Sequence, residues 1–297
     1  MTAARGVVVG YDGSPSSEVA LTWAIEEARR SGLPLTLVHT AEVDLAVYGT
    51  GVGGGDWAYA RSDVVGDSDS VTRAKEALGE DLVTVHRTLG NAARHLVEAS
   101  HDANLVVTGT RGHGHLTSVL LGSTAYAVAA HAHCPVVVVR VPPRGPTQPV
   151  RPDADHPVVV GVDDLAPSGA ALEAAAEVAE RSGAPLRVVR AVEYHAFIPT
   201  IASDGATVAE YDEALRHEAH RMVADAAAKV REKHPDLVIE EAALDGAPAF
   251  VLGRESHKAG LVVVGSRGRG GFAGLLLGST SHALLHEAAC PVMVVRS

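Results

Sequence analysis

The sequence predicts an α/β protein of two tandem domains, each a parallel sheet covered by helices on both faces. Three observations predict it. Short β-branched apolar runs alternate with amphipathic helical stretches along the chain. The strand-like runs are almost continuously apolar, as strands buried on both faces must be. The pattern also occurs twice. VVVGYDGS at 7–14 returns as VVVGVDDL at 158–165, and LPLTLVHTAEV at 33–43 as APLRVVRAVEY at 184–194. LVVTGTRGHG returns as LVVVGSRGRG, and CPVVVVR at 134–140 as CPVMVVR at 290–296, with the offset drifting from 151 to 156. A period of this length is a domain duplication, not a solenoid.

In chain order, half one is expected to carry strands near 6–10, 34–40, 82–88, 104–109 and 135–140. Its helices are expected near 16–31, 68–79, 91–102 and 117–132. Half two repeats this with strands near 157–162, 185–191, 236–243, 260–265 and 291–296. The helices of half two fall near 167–182, 206–233, 247–258 and 274–288. Between the halves, residues 141–157 hold six prolines and little apolar content, which reads as an extended, semi-rigid linker. The expected division is a first module over 1–143, a linker over 144–156 and a second module over 157–297.

Bulk properties narrow the class. A chain of 297 residues with 46% hydrophobic and 21% charged residues can bury a core, which is aliphatic because aromatics are only 4%. Net charge is −11, with −4 in residues 1–150 and −7 in 151–297. Two acidic halves argue against nucleic acid or an anionic membrane as partner. Two cysteines, Cys134 and Cys290, give no disulfide framework and fit a reducing, cytoplasmic compartment. The opening MTAARGVVVG runs straight into a strand-like segment, so no signal peptide is expected. No apolar run approaches the ~20 residues needed to span a membrane.

The chemistry centres on one repeated motif. Gly109, Gly112 and Gly122, followed by Ser123 and Thr124, read G-x-x-G-(nine residues)-G-S-T. Gly265, Gly268 and Gly278, followed by Ser279 and Thr280, keep the same spacing. Each copy stands behind a strand and runs into a helix. Glycines admit positive φ and let backbone N–H groups approach an anion. A helix start adds unsatisfied N–H groups and its dipole, and the serine hydroxyls add donors. The pattern fits a phosphate cradle. A glycine-rich turn that binds nothing is the alternative, weakened by the exact repetition of the spacing.

Other residues extend the candidate site. Gly10 and Gly161 end the first strand of each half, and Asp12 and Asp163 follow at equivalent positions. Either carboxylate can accept from a ribose hydroxyl or serve a turn, and Ser16 or Ser17 can cap the next helix. In half two, Asp164-Leu165-Ala166-Pro167 stands for Gly-Ser-Pro, read as the loss of a glycine and the gain of a residue. Arg111 and Arg267 lie inside the glycine loops, where each can balance phosphate charge or stand as a solvated loop charge. His131, His133 and Cys134 invite a zinc reading. Half two has Glu287, Ala289 and Cys290 there, which is not a ligand set, so no metal is expected. His113 and His115 flank the first loop. GTGVGGG at 49–55, before Asp56-Trp57, reads as a lid or as an ordinary loop. A P-loop lysine, the kinase loops and a defensible Ser-His-Asp or Cys-His arrangement are absent.

These motifs together, with the VVVGYDGS start and the CPVVVVR end, resemble the universal stress protein family, twice over nearly the whole chain. Two modules at this length are similar to the tandem proteins of actinobacteria, including mycobacteria. The resemblance implies two Rossmann-like (adenine nucleotide alpha hydrolase-like) domains, each a five-stranded parallel sheet of order 3-2-1-4-5. For the ATP-binding branch it implies that Asp12, the Thr40 backbone, Gly109, Gly112, Gly122 and Ser123 hold ATP, with magnesium. In half two these are Asp163, the Ala191 backbone, Gly265, Gly268, Gly278 and Ser279. It further implies pairing of modules through their last strands, here 135–140 with 291–296, and a homodimer as a further assembly. The functional expectation is an ATP-binding stress-response protein with slow or no turnover. A slow ATPase or nucleotidyl-transfer enzyme, and a partner-binding protein with empty sites, are the alternatives.

Overall fold

The computed structural model describes residues 6–41, 69–110, 121–140, 149–163, 168–193, 208–268 and 276–296. The chain divides into two compact units, Met1–Pro149 and Val150–Ser297. In the first unit, the strands are β1 (Gly6–Gly10), β2 (Leu35–Ala41), β3 (Val83–Leu89), β4 (Ala103–Gly109) and β5 (Val136–Val139). Its helices are α1 (Pro15–Ser31), α2 (Asp69–Leu78), α3 (Ala92–Ala99) and α4 (Ser123–His131), with a 3-10 turn at Glu80–Leu82 that the sequence reading did not anticipate. The order across the sheet is β3-β2-β1-β4-β5, and every pairing is parallel.

The second unit repeats the plan. Its strands are β6 (Val158–Gly161), β7 (Leu186–Val192), β8 (Ile239–Asp245), β9 (Leu261–Gly265) and β10 (Val292–Val295). Its helices are α5 (Gly169–Ser182), α6 (Val208–Lys233), α7 (Pro248–Glu255) and α8 (Ser279–Glu287). The order is β8-β7-β6-β9-β10, again parallel throughout. This is the expected 3-2-1-4-5 order in each module. Right-handed crossovers then place α1 and α2 on one face and α3 and α4 on the other, and each pair packs together.

The strands form where they do because they are buried on both faces. Val7, Val9, Val106, Val107 and Val137 are at most 1% exposed, as are Val158, Val160, Val262 and Val263. Helix starts are set by local chemistry. Ser14 caps α1, its hydroxyl accepting from Ser17 N at 3.2 Å, with Pro15 at the first helical position and Glu18 in the first turn. The expected caps, Ser16 and Ser17, are therefore both inside the helix. Gly32 and Gly183 end α1 and α5 in the left-handed region at φ 66°.

Two helices begin later than expected. Gly122 and Gly278 have extended backbone, at ψ 148° and 161°, so α4 and α8 start at Ser123 and Ser279 rather than near 117 and 274. Residues 117–120 and 274–275, where the earlier starts were expected, lie outside the described residues. The end of the expected linker also differs from an extended spacer. Pro149 and Pro152 are buried, and the Arg151–Pro152 backbone fills the space above Gly260. Asp153 Oδ1 closes a turn onto the amides of Asp155 and His156 at 2.9 Å each.

Candidate functional site at the strand ends

Parallel strands bring their carboxyl ends to one edge of each sheet, and the order reverses between β1 and β4, and between β6 and β9. Register then fixes what meets there. Gly10 pairs with Val38, so Asp12 stands level with Thr40. Val9 pairs with Val107, so Tyr11 stands beside Gly109. In the second unit Gly161 pairs with Val189 and Val160 with Val263, which puts Asp163 level with Ala191 and Val162 beside Gly265.

The strand after β1 is longer than β1 itself. Tyr11 N donates to Val38 O at 3.0 Å and Val162 N to Val189 O at 2.9 Å. Backbone groups alternate between neighbours along a parallel strand. Two residues on, the amide and carbonyl of Thr40 and Ala191 face the side that strand one has left. The Thr40 side chain turns to β3, its hydroxyl 2.9 Å from that of Thr88.

Asp12 sits in a tight turn. Its Oδ1 accepts from Ser14 N at 3.0 Å, and its own amide donates to Ser17 Oγ at 3.3 Å. Gly13 supplies the positive φ, 80°, that this turn uses. In the second unit Asp163 N donates to Ser168 Oγ at 3.2 Å. The aspartate-to-serine spacing is five residues in both units, so the expected extra residue in half two is not there. What changes is composition, with Leu165 at the place of the capping Ser14.

The glycine motif closes in the same way twice. Gly122 N donates to Thr110 O at 2.7 Å, and Gly278 N to Ser266 O at 2.7 Å. Gly122 and Gly278 are then the N-caps of α4 and α8, and neither helix start has a side-chain cap. Ser123 and Ser279 are exposed at those helix starts, with Thr124 and Thr280 next to them. Around the second copy, a β-carbon on Gly278 would lie 3.5 Å from Arg267 Cα and 3.7 Å from Gly268 N. One on Gly268 would lie 3.0 Å from Asp163 Oδ2. Asp163, Arg267, Gly268 and Gly278 are thus brought together, and Arg267 is exposed.

The reason for the glycines differs from the expectation. None of Gly109, Gly122, Gly265, Gly268 and Gly278 has a positive φ. Close approach explains Gly109, Gly265 and Gly268 instead, whose added β-carbons would lie 2.5, 3.2 and 3.0 Å from a neighbouring oxygen, whereas one on Gly278 meets only ordinary contacts. Gly109 lets α1 come against the end of β4, where Ser16 Oγ also lies 3.4 Å from Thr110 Oγ1. Gly10 and Gly161 serve packing: Leu96 and Leu252 fill the space a β-carbon would take, at 2.9 and 2.7 Å. Arg111, Gly112, His113, His115, residues 49–57 and residues 144–148 lie outside the described residues.

Sequence reasoning passed over the residue one step before Thr40. His39 is 7% exposed and its Nδ1 lies 2.9 Å from Tyr11 O. Nε2 is buried without a hydrogen-bond partner. The equivalent residue in the second unit is Arg190, whose Nη1 donates to Asp163 Oδ1. Also unforeseen is the Glu18 cluster beside Tyr11. Glu18 accepts from the Tyr11 hydroxyl, from Ser70 Oγ at 2.6 Å and from Arg73 at 2.9 Å. Burial raises the Glu18 carboxyl, and these donors together outweigh it and hold the pKa below the ordinary value. At the other end of the sheet, His133 stacks on His101 with ring centroids 3.6 Å apart, and its amide donates to Ser100 Oγ at 2.9 Å.

Comparison with known proteins agrees with this architecture. The model of the Universal stress protein family matches residues 4–140 and again 156–296. A universal stress protein of Mycobacterium tuberculosis is 35% identical over 300 residues, covering 98% of this chain and 97% of its own. Another from Mycolicibacterium smegmatis is 35% identical over 304 residues, with the same coverage. The crystal structure of a universal stress protein from Archaeoglobus fulgidus has the same fold. Its TM-score is 0.67 at 17% identity, covering 99% of this chain and 98% of that one.

Proposed function

The chain belongs to the universal stress protein family, as two modules in tandem, and on that premise we propose that it is a cytoplasmic, ATP-binding regulatory protein of the stress response, with slow or no nucleotide turnover. One observation carries the reading. In both modules the residue ahead of a helix is a glycine whose amide is tied at 2.7 Å to the loop leaving the fourth strand, and the helix start has no side-chain cap. Uncapped first-turn amides are a ready anion site. They suit the phosphates of a nucleotide, with the Ser123 and Ser279 hydroxyls as added donors.

The rest of the nucleotide follows from the register. Asp12 would accept from a ribose hydroxyl, and the outward amide and carbonyl of Thr40 would meet the hydrogen-bonding edge of adenine, a reading supported by their level register. Asp163 and Ala191 are the counterparts in the second module. Magnesium would arrive with the phosphates, since no group of three His, Cys, Asp or Glu that could hold a metal is found among the described residues. The surroundings of the cradle support the reading of slow turnover. The nearby carboxylates already accept from Ser14 N and from Arg190, which leaves them poorly placed to act as a general base.

A steady-state assay with Mg·ATP tests the turnover claim. The expected rate lies far below the ~10 s⁻¹ typical of enzymes. A rate of that order would replace the binding-protein reading with an enzyme.

A further inference from the structure

The turn that carries Asp12 is closed from both sides by one residue. Glu18, in the first turn of α1, gives its backbone amide to Ser14 O at 3.0 Å. Its carboxylate accepts from the hydroxyl of Tyr11, the residue before Asp12. Residues 11–18 thus form a loop with a side-chain bond across its mouth, and Asp12 lies inside it. Tyr11 is buried, and its amide is tied to β2, donating to Val38 O at 3.0 Å. The other ties of the Glu18 carboxylate run to α2, where Ser70 Oγ donates at 2.6 Å and Arg73 at 2.9 Å. One carboxylate therefore joins the end of β1, α1 and α2. The second module has Val162 and Gly169 at the positions of Tyr11 and Glu18, so this link cannot form there.

We infer that Glu18 is a positioning residue for the first nucleotide site, coupling the turn of Asp12 to the docking of α2. The inference rests on the ATP-binding reading above. The carboxylate braces the turn while α2 supplies two of its three side-chain donors. When α2 lifts away, those donors are lost, the carboxylate turns to water for replacements, and the brace across the turn weakens. Linkage is reciprocal. If docked α2 favours a nucleotide at Asp12, a bound nucleotide favours docked α2 by the same factor. ATP at the first site is therefore expected to quiet α2, a helix of 10 residues whose order depends on tertiary contacts.

Hydrogen exchange of the full chain with and without saturating Mg·ATP tests this, joined to calorimetry, with circular dichroism as the folding control. In the wild type, ATP is expected to slow exchange of the α2 amides, and Gly122→Val, which blocks the first site, to abolish that protection. Tyr11→Phe keeps the ring and the bonds from α2 to Glu18 but cuts the bond across the turn. It is expected to weaken the first site about fivefold or more, and to leave α2 exchange indifferent to ATP once the site is filled. Glu18→Gln, which keeps the shape and drops the charge that draws the three donors, gives the same loss, and the second site keeps its affinity in both variants. A purely structural Glu18 would lower stability without changing how α2 responds to ATP. Bound ATP that leaves α2 exchange unchanged in the wild type, or an unchanged first site in folded Tyr11→Phe and Glu18→Gln, would overturn the coupling while leaving ATP binding intact. The wild-type measurement requires neither variant to fold. No ATP bound by the wild type would overturn the ATP reading, and the coupling with it.

Discussion

Gly109 lies directly against Ser16: a β-carbon on Gly109 would sit 2.5 Å from Ser16 Oγ and 2.6 Å from the Ser16 carbonyl oxygen. The carbonyl belongs to the first turn of α1 and cannot swing away. Gly109→Ala is therefore expected to destabilise the first module by about 1–3 kcal/mol through overpacking. A β-carbon at Gly278 meets nothing closer than 3.5 Å, an ordinary contact, so Gly278→Ala should change stability little. Urea unfolding of the two variants compares them. Equal midpoints would mean that the approach of α1 to β4 does not require glycine.

Larger changes at the cap positions separate binding from folding. Gly122 and Gly278 have φ of −69° and −72°, which any residue adopts. A valine fits the backbone there, yet its branched side chain occupies space beside the first-turn amides. On the expectation that the intact Asp12-Gly13-Ser14 turn makes the first site the stronger, Gly122→Val should remove most of the bound ATP and Gly278→Val less. Bound ATP per chain is the readout, with circular dichroism to confirm folding. Equal losses would reverse the ranking of the sites.

Glu18 makes the first module sensitive to acid. Its carboxyl is held below the ordinary value, the donors from Ser70, Tyr11 and Arg73 outweighing the opposing effect of burial. A depressed folded-state pKa contributes stability above the unfolded value, about 4.3 for glutamate, that is lost as pH falls through the folded value. The wild type should therefore lose stability over that acid range, and Glu18→Gln should start lower at neutral pH and lose less on acidification. Thermal melts from pH 7 down to pH 3 would show this. Parallel curves for the two proteins would remove Glu18 from the account.

Cys290 should be inert in the native state. Burial pushes its thiol up to about 12, and the residue is 1% exposed. A thiolate is the reactive form, so alkylation at pH 8 should label Cys290 only after denaturation. Cys134 is partly exposed and should react first. Peptide mapping after a short treatment of native protein distinguishes the two, and early labelling of Cys290 would contradict its burial.

The strands were legible within one to three residues because full burial on both faces leaves a dense apolar signature, as in VVVG and LVVV. The starts of α4 and α8 were not, because LTSVLL and AGLLL carry helical periodicity whether or not they are helical, and the stop lies in one extended glycine after each. The positions of Asp12, Gly122 and their counterparts followed from spacing alone. What Gly109 and Gly10 are for did not, since a glycine's purpose depends on which side chain arrives from a distant element. His39 and Arg190 left a signal that was passed over. VHT and VRA put an imidazole and a guanidinium at one repeat position inside otherwise apolar strands, and only register shows that Arg190 reaches Asp163.

The central claim is that an adenine nucleotide is held at the strand ends by the uncapped helix starts. Its most direct test is the nucleotide content of freshly purified, denatured protein by mass spectrometry, joined to calorimetry of the emptied protein with Mg·ATP. The account predicts adenine nucleotide released from the wild type, or ATP rebound by the emptied chain, with both lost in the well-folded Gly122→Val/Gly278→Val double variant. Undiminished ATP in that variant, or no nucleotide by either method in the wild type, would contradict it.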